Sequence, residues 1–186
     1  MALSNNTTLT ALQVIQDAPV IPVIVLNDVA HAVPMARALV AGGIRMLEVT
    51  LRTAQALACM EAITRHVPEA VLGAGTVRSA ADAKAAASAG ARFAVSPGYT
   101  AAVGQACRDL DLPLLPGVAI LKAWGGPFAD IRFCPTGGVT PQNAKEFLAL
   151  PNVVCVGGSW LVPQDALLQG DWQRITRLAA ESRSLA

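Results

Sequence analysis

Aromatic and charged side chains are scarce in this chain. Only 4% of its 186 residues are aromatic, with one Tyr and four Phe, and only 15% are charged, against a globular average nearer a quarter. The net charge is +1, and Lys and Arg are scattered singly. No basic stripe interleaved with stacking aromatics results, so no nucleic-acid partner is expected. Long apolar runs are lacking too: Pro19 to Leu26 falls far short of the roughly 20 residues that cross a bilayer, and Met1 to Thr10 is polar without basic residues. Neither a membrane partner nor a secretory signal is expected, and the protein reads as cytoplasmic. Cys59, Cys107, Cys134 and Cys155 form no C-x-x-C pair and sit in apolar contexts, as reduced core thiols do. His31 and His66, the only histidines, have no second ligand at a recognisable spacing and read as ordinary surface positions, so no metal is expected.

What the sequence does hold is apolar: 53% of residues are hydrophobic. Short β-branched runs alternate with alanine-rich helical stretches. The runs are Val20 to Leu26, Met46 to Leu51, Ala70 to Ala74, Arg92 to Ser96, Leu112 to Leu115, Ile131 to Cys134 and Val153 to Val156. Near-continuous apolar strands between helices indicate a parallel sheet covered on both faces. Gly42-Gly43 and Gly90 stand just past helices and before strands, where glycine takes the left-handed cap conformation.

The strands leave through Gly75-Thr76, Pro97-Gly98, Pro116-Gly117, Thr136-Gly137-Gly138 and Gly157-Gly158-Ser159. In a (β/α) barrel these C-terminal ends form the functional face. A doubly wound sheet is the competitor, but Leu26-Asn27-Asp28 after the first strand holds no G-x-G-x-x-G fingerprint. A barrel is therefore predicted, yet about seven strand signals in a chain shorter than the roughly 200 residues of a complete eight-unit barrel leave it one unit short.

In Leu47-Glu48-Val49-Thr50-Leu51-Arg52, alternation puts Glu48, Thr50 and Arg52 on one face. Facing a barrel interior, Glu48 is desolvated and suited to shuttle protons, while Arg52 holds a carboxylate bidentately. The competing reading is a Glu48–Arg52 ion pair that neutralises a buried charge. Gly137-Gly138 and Gly157-Gly158-Ser159 close the last two strands, where barrels recurrently bind phosphate. Tight turns, with Ser159 and Thr140 as helix caps, are the alternative.

These segments, together with Gly73-Ala74-Gly75-Thr76-Val77, Ser96-Pro97-Gly98, Leu115-Pro116-Gly117, Phe133-Cys134-Pro135-Thr136-Gly137-Gly138-Val139 and Val156-Gly157-Gly158-Ser159-Trp160-Leu161, resemble the 2-keto-3-deoxy-6-phosphogluconate (KDPG) and 4-hydroxy-2-oxoglutarate aldolase family. The resemblance implies a homotrimeric class I aldolase barrel. Its reaction cleaves KDPG, a phosphorylated keto acid of the Entner–Doudoroff pathway, to pyruvate and glyceraldehyde 3-phosphate through a lysine Schiff base, without a cofactor. It implies Glu48 as general acid/base, and Arg52, Thr76, Pro97 and Thr136 around the keto acid. Gly137, Gly138, Gly157, Gly158 and Ser159 are implied for the phosphate.

One departure stands out. Family members carry a further helix and a sixth strand with the Schiff-base lysine, where this chain passes from Pro116-Gly117-Val118 straight to Leu121-Lys122-Ala123-Trp124. The expectation is one barrel domain over 1–186 with an internal deletion near 118–121. Of the three lysines, Lys84 and Lys145 read as solvated helix surface, and Lys122 matches a family helix position. Lys122 is the one substitute, should a rebuilt connection swing it inward as a desolvated amine. The alternatives to an active aldolase are a relic that binds phosphorylated keto acids without turnover and an incompletely folded deletion form.

Overall fold

The computed structural model describes residues 9–117 and 131–185. Six parallel strands share one sheet: β1 (Val20–Ile24), β2 (Met46–Thr50), β3 (Val71–Gly75), β4 (Phe93–Ser96), β5 (Leu114–Pro116) and β6 (Val156–Gly158). They lie in the order β5-β4-β3-β2-β1-β6. The chain adds strands to one side from β1 to β5, and the last strand returns to the other side of β1. A barrel wall is built this way, with first and last strands adjoining, whereas a doubly wound sheet reverses direction at a switch point.

Around the sheet stand α1 (Ala11–Gln16), α2 (Ala32–Ala41), α3 (Ala56–His66), α4 (Ala80–Ser88), α5 (Ala101–Asp109), α6 (Ala144–Leu148), α7 (Gln164–Gln169) and α8 (Trp172–Arg183). Local chemistry starts several of them. The Thr10 and Gln13 side chains make reciprocal capping bonds at α1, and Ser79 and Asp82 do the same at α4. Gly43 and Gly90 follow α2 and α4 with φ of +87° and +96°, the left-handed conformation expected there.

Alternation along the strands divides the apolar residues into two layers. Leu47 and Val49 of β2 belong to the outer layer, where the strands meet buried helix residues such as Met35, Leu39, Met60 and Ile63. Met46 belongs to an inner cluster with Ile21, Phe93 and Cys155, all near the N-terminal ends of their strands. Leu9, Val14 and Ile15, around α1, complete that cluster and plug this end of the curled sheet. Burial of such side chains stabilises by roughly 1.5–3 kcal/mol each, enough to hold a six-residue helix that would not form alone. The opposite, C-terminal ends of the strands are left for function.

Every strand differs from its expected bounds, most by one or two residues, and three of the differences have a backbone reason. Leu112 was expected to open β5, but its N–H donates to the Cys107 carbonyl at the end of α5 (2.9 Å), so the ladder starts at Leu114. The strand expected over Ile131 to Cys134 is a run joined by isolated parallel bridges, Phe133 to Val153 and Thr136 to Gly157. Three residue steps on one side answer four on the other, a bulge, and Pro135 has no N–H to donate. For the same reason the strand expected over Val153 to Val156 becomes regular only as β6, from Val156. The six strands and this run make up the seven strand signals. Nor is His31 a surface residue: it is half-buried, its ring 6.1 Å from that of Trp172.

Candidate active site

Glu48 lies inside the curl. Its neighbours across the sheet are Val23 on β1 and Gly73 on β3. A Cβ built on Gly75, two pairs further along β3, would stand 2.1 Å from Glu48 Oε1. The absence of a side chain at Gly75 is thus what lets the carboxyl lie across β3. Glycine at 73 makes room for the Phe93 ring, since a Cβ there would stand 2.1 Å from it. We expect Gly75→Ala to cost about 1–3 kcal/mol in urea unfolding through overpacking, and to displace Glu48. An unchanged unfolding midpoint would show that the carboxyl does not need this space.

Glu48 is only 5% exposed. Burial pushes its carboxyl up to about 7, and the more distant Arg52 charge lowers it by less. Among the described residues the ion pairs are Asp17–Arg45 and Asp165–Arg174, so Glu48 and Arg52 form none within 4.0 Å. The ion-pair reading of this strand is not what the fold contains. Arg52, exposed just past β2, donates its Nε–H to Thr76 Oγ1 at 3.0 Å. That bond uses Nε and leaves the two terminal amino groups, the fork that suits a carboxylate, outside it. Thr76 holds φ at +62°, a strained conformation for a β-branched residue, and such strain concentrates at functional sites.

Two hydroxyls that the sequence reading did not single out for this task fix the exit of β2. Thr50 Oγ1 donates to the Ile24 carbonyl (2.9 Å), and Thr53 Oγ1 donates to the Leu26 carbonyl (2.5 Å). The T-x-x-T spacing after a strand was the available signal. Pro97 is exposed at the end of β4, between Ser96, whose hydroxyl donates to the Gly98 carbonyl (2.7 Å), and a close approach of Gly117 to the Pro97 carbonyl.

The glycine loops differ from one another. Gly137 and Gly138 have φ of +95° and +67°, and nothing lies within 4 Å of where their side chains would be. Asn143, which the sequence reading passed over, donates from Nδ2 to the Gly138 carbonyl at 3.1 Å and makes reciprocal bonds with Thr140. Gly157 instead makes room for the Thr136 hydroxyl, and Gly158 for the Trp160 ring. Packing explains glycine at 157 and 158, and open backbone explains it at 137 and 138. Ser159 is exposed and caps no helix, since α7 starts at Gln164 with Pro163 before it.

Lys84 and Lys145 are exposed on α4 and α6, whose buried residues Ala83, Ala86 and Ala144 face the outer side of the sheet. Neither reaches Glu48, as expected for solvated helix surface. Lys122 lies outside the described residues. No helix among the described residues is long and apolar enough to cross a membrane.

Comparison with known proteins agrees with this geometry. The family model of KDPG and KHG aldolases matches residues 12–120 and 117–178, as two stretches that meet at 117–120. A 2-dehydro-3-deoxy-phosphogluconate aldolase of Pseudoalteromonas atlantica is 45% identical, covering 97% of each chain over 208 aligned positions, more than the residues present here. The KHG/KDPG aldolase of Escherichia coli K12 is 44% identical, covering 95% of this chain and 96% of its own. The crystal structure of KDPG aldolase from Legionella pneumophila, with pyruvate captured as a covalent carbinolamine, superposes with a TM-score of 0.89 at 40% identity, covering 92% of this chain and 97% of that one. The chain belongs to the KDPG and KHG aldolase family, a family of carbon–carbon lyases.

Proposed function

We propose that this chain keeps the keto-acid-binding and proton-transfer half of a KDPG aldolase and has lost the nucleophile. It binds pyruvate and phosphorylated 2-keto acids without forming the imine. The carrying observation is that Glu48 and Arg52 stand at the mouth while Lys84 and Lys145 point away to solvent. In this reading Arg52, seated on Thr76, takes the carboxylate, with Pro97 and Thr136 beside the keto-acid carbons. The open backbone at Gly137 and Gly138, with Gly157, Gly158 and Ser159, takes the phosphate. No cofactor is needed. The protein works in the cytoplasm, as a homotrimer, on intermediates of the Entner–Doudoroff route.

In the parent reaction a lysine amine adds to the keto carbon of KDPG and water leaves, giving a protonated imine. Breaking the C3–C4 bond releases glyceraldehyde 3-phosphate and leaves its electron pair in an enamine of pyruvate. A carboxyl poised near 7, as Glu48 is, takes the C4 hydroxyl proton and later returns a proton to the enamine carbon. Without the imine there is no electron sink, and Glu48 has no carbanion to protonate. The lysine is lost with the sixth βα unit, in a deletion near 118–121. The two-part family match and the aligned lengths beyond 186 residues support that position.

Calorimetric titration tests the binding half. Pyruvate affinity is expected to fall about 10- to 100-fold in Arg52→Ala, the scale of a charge-assisted bidentate contact, and to recover only in part in Arg52→Lys. Equal affinity in the wild type and Arg52→Ala would overturn this assignment.

A further inference from the structure

Two thiols that the proposed chemistry does not use face each other across neighbouring strands. Cys134 and Cys155 lie on neighbouring parallel runs, both between the bridges Phe133 to Val153 and Thr136 to Gly157. The side chains agree with that placement. The Thr136 hydroxyl fills the space beside Gly157, and Cys155, fully buried in the inner cluster, has Cys134 packed against it. Paired strands lie about 4.8 Å apart, inside the roughly 4.4–6.8 Å between Cα atoms that a disulfide spans. Cys59 and Cys107, by contrast, are buried on separate helices, α3 and α5.

We propose that Cys134 and Cys155 are a peroxide-sensitive dithiol that closes to a reversible intramolecular disulfide, tying the strand run before Gly137-Gly138 to the strand before Ser159. Cys134 is partly exposed and meets the oxidant first. Cys134 and burial push the Cys155 thiol up, so Cys155 is not the first to react; it resolves by attacking as its proton passes to the departing hydroxyl. Hydrogen peroxide oxidises the Cys134 thiol to a sulfenic acid and is reduced to water. The Cys155 sulfur then attacks the sulfenic sulfur: the S–S bond forms, the S–O bond breaks, and the hydroxyl leaves with the Cys155 proton as a second water. Two electrons pass from the thiols to the peroxide. The run from Phe133 to Thr136, otherwise joined to its neighbour by isolated bridges, becomes covalently fixed. This inference rests on the packing of the two thiols between neighbouring strand runs and does not depend on whether the chain turns over substrate.

The test treats the full chain with a modest excess of hydrogen peroxide, then blocks remaining thiols with N-ethylmaleimide in denaturant for non-reducing mass mapping. The expected product has lost two hydrogens and is labelled only at Cys59 and Cys107. It yields one linked peptide pair containing Cys134 and Cys155, and reverts with dithiothreitol. Its Tm rises by about 5 °C or more, as closing a loop of this length stabilises. Cys134→Ser, at the less buried position, is expected to fold, to show no link and to leave Cys155 labelled after peroxide. Sulfinic acid at Cys134 with Cys155 labelled, links between molecules, or four labelled thiols after peroxide would each overturn the proposal.

Discussion

A chimera that carries a relative's sixth βα unit between Gly117 and Leu121 is expected to cleave KDPG about six orders of magnitude faster than the present chain. That is the scale on which removing a catalytic nucleophile acts. Glu48 already lies across Gly75, and Arg52 is seated on Thr76. The inserted strand brings the amine and also a partner for β5, which among the described residues pairs only with β4. The two contributions separate in a second chimera whose inserted lysine is replaced by Met. It should gain the thermal stability of the first while staying at the background rate. Equal cleavage by the parent chain and the first chimera would mean that the amine is already supplied from within.

The second large effect is on stability against pH. An unfolded Glu48 titrates near 4.5, and the folded one near 7 because burial disfavours the charge. Between those values the native state holds a proton that the unfolded chain has released. Stability therefore falls as pH rises through this window and levels off above it. Two and a half pH units correspond to about 3 kcal/mol. Glu48→Gln should abolish this fall: the variant is expected to match the wild type below pH 4.5 and to exceed it by about 3 kcal/mol above pH 7.5, read from urea unfolding at each pH. A wild-type curve that is flat between pH 5 and 7 would place Glu48 in water rather than in the inner layer.

Much of this was legible because it depends on local rules. Period-2 alternation put Glu48 and Thr50 on the side away from Leu47 and Val49, and the fold keeps them there. Gly43 and Gly90 announced left-handed helix ends, and both have them. What depends on distant partners was not legible. Gly157 and Gly158 look like Gly137 and Gly138 in sequence, yet Thr136 and Trp160 occupy their space, a fact settled across strands. The Asn143 tether to Gly138 is likewise a loop-to-helix contact with no motif of its own. The bulge between the Phe133 and Thr136 bridges offsets the two runs by one residue, which no local motif announces. Whether Glu48 and Arg52 neutralise each other was open in the spacing. It is decided by Thr76, which draws the guanidinium away.

The most direct measurement is intact mass after incubation with pyruvate and borohydride, which reduces any imine to a permanent adduct. The expected result is the unmodified mass of the 186-residue chain, while the same treatment of the lysine-bearing chimera adds one reduced pyruvyl group. A pyruvyl adduct on the parent chain, mapped to Lys122 or to any other amine, would contradict the loss of the nucleophile.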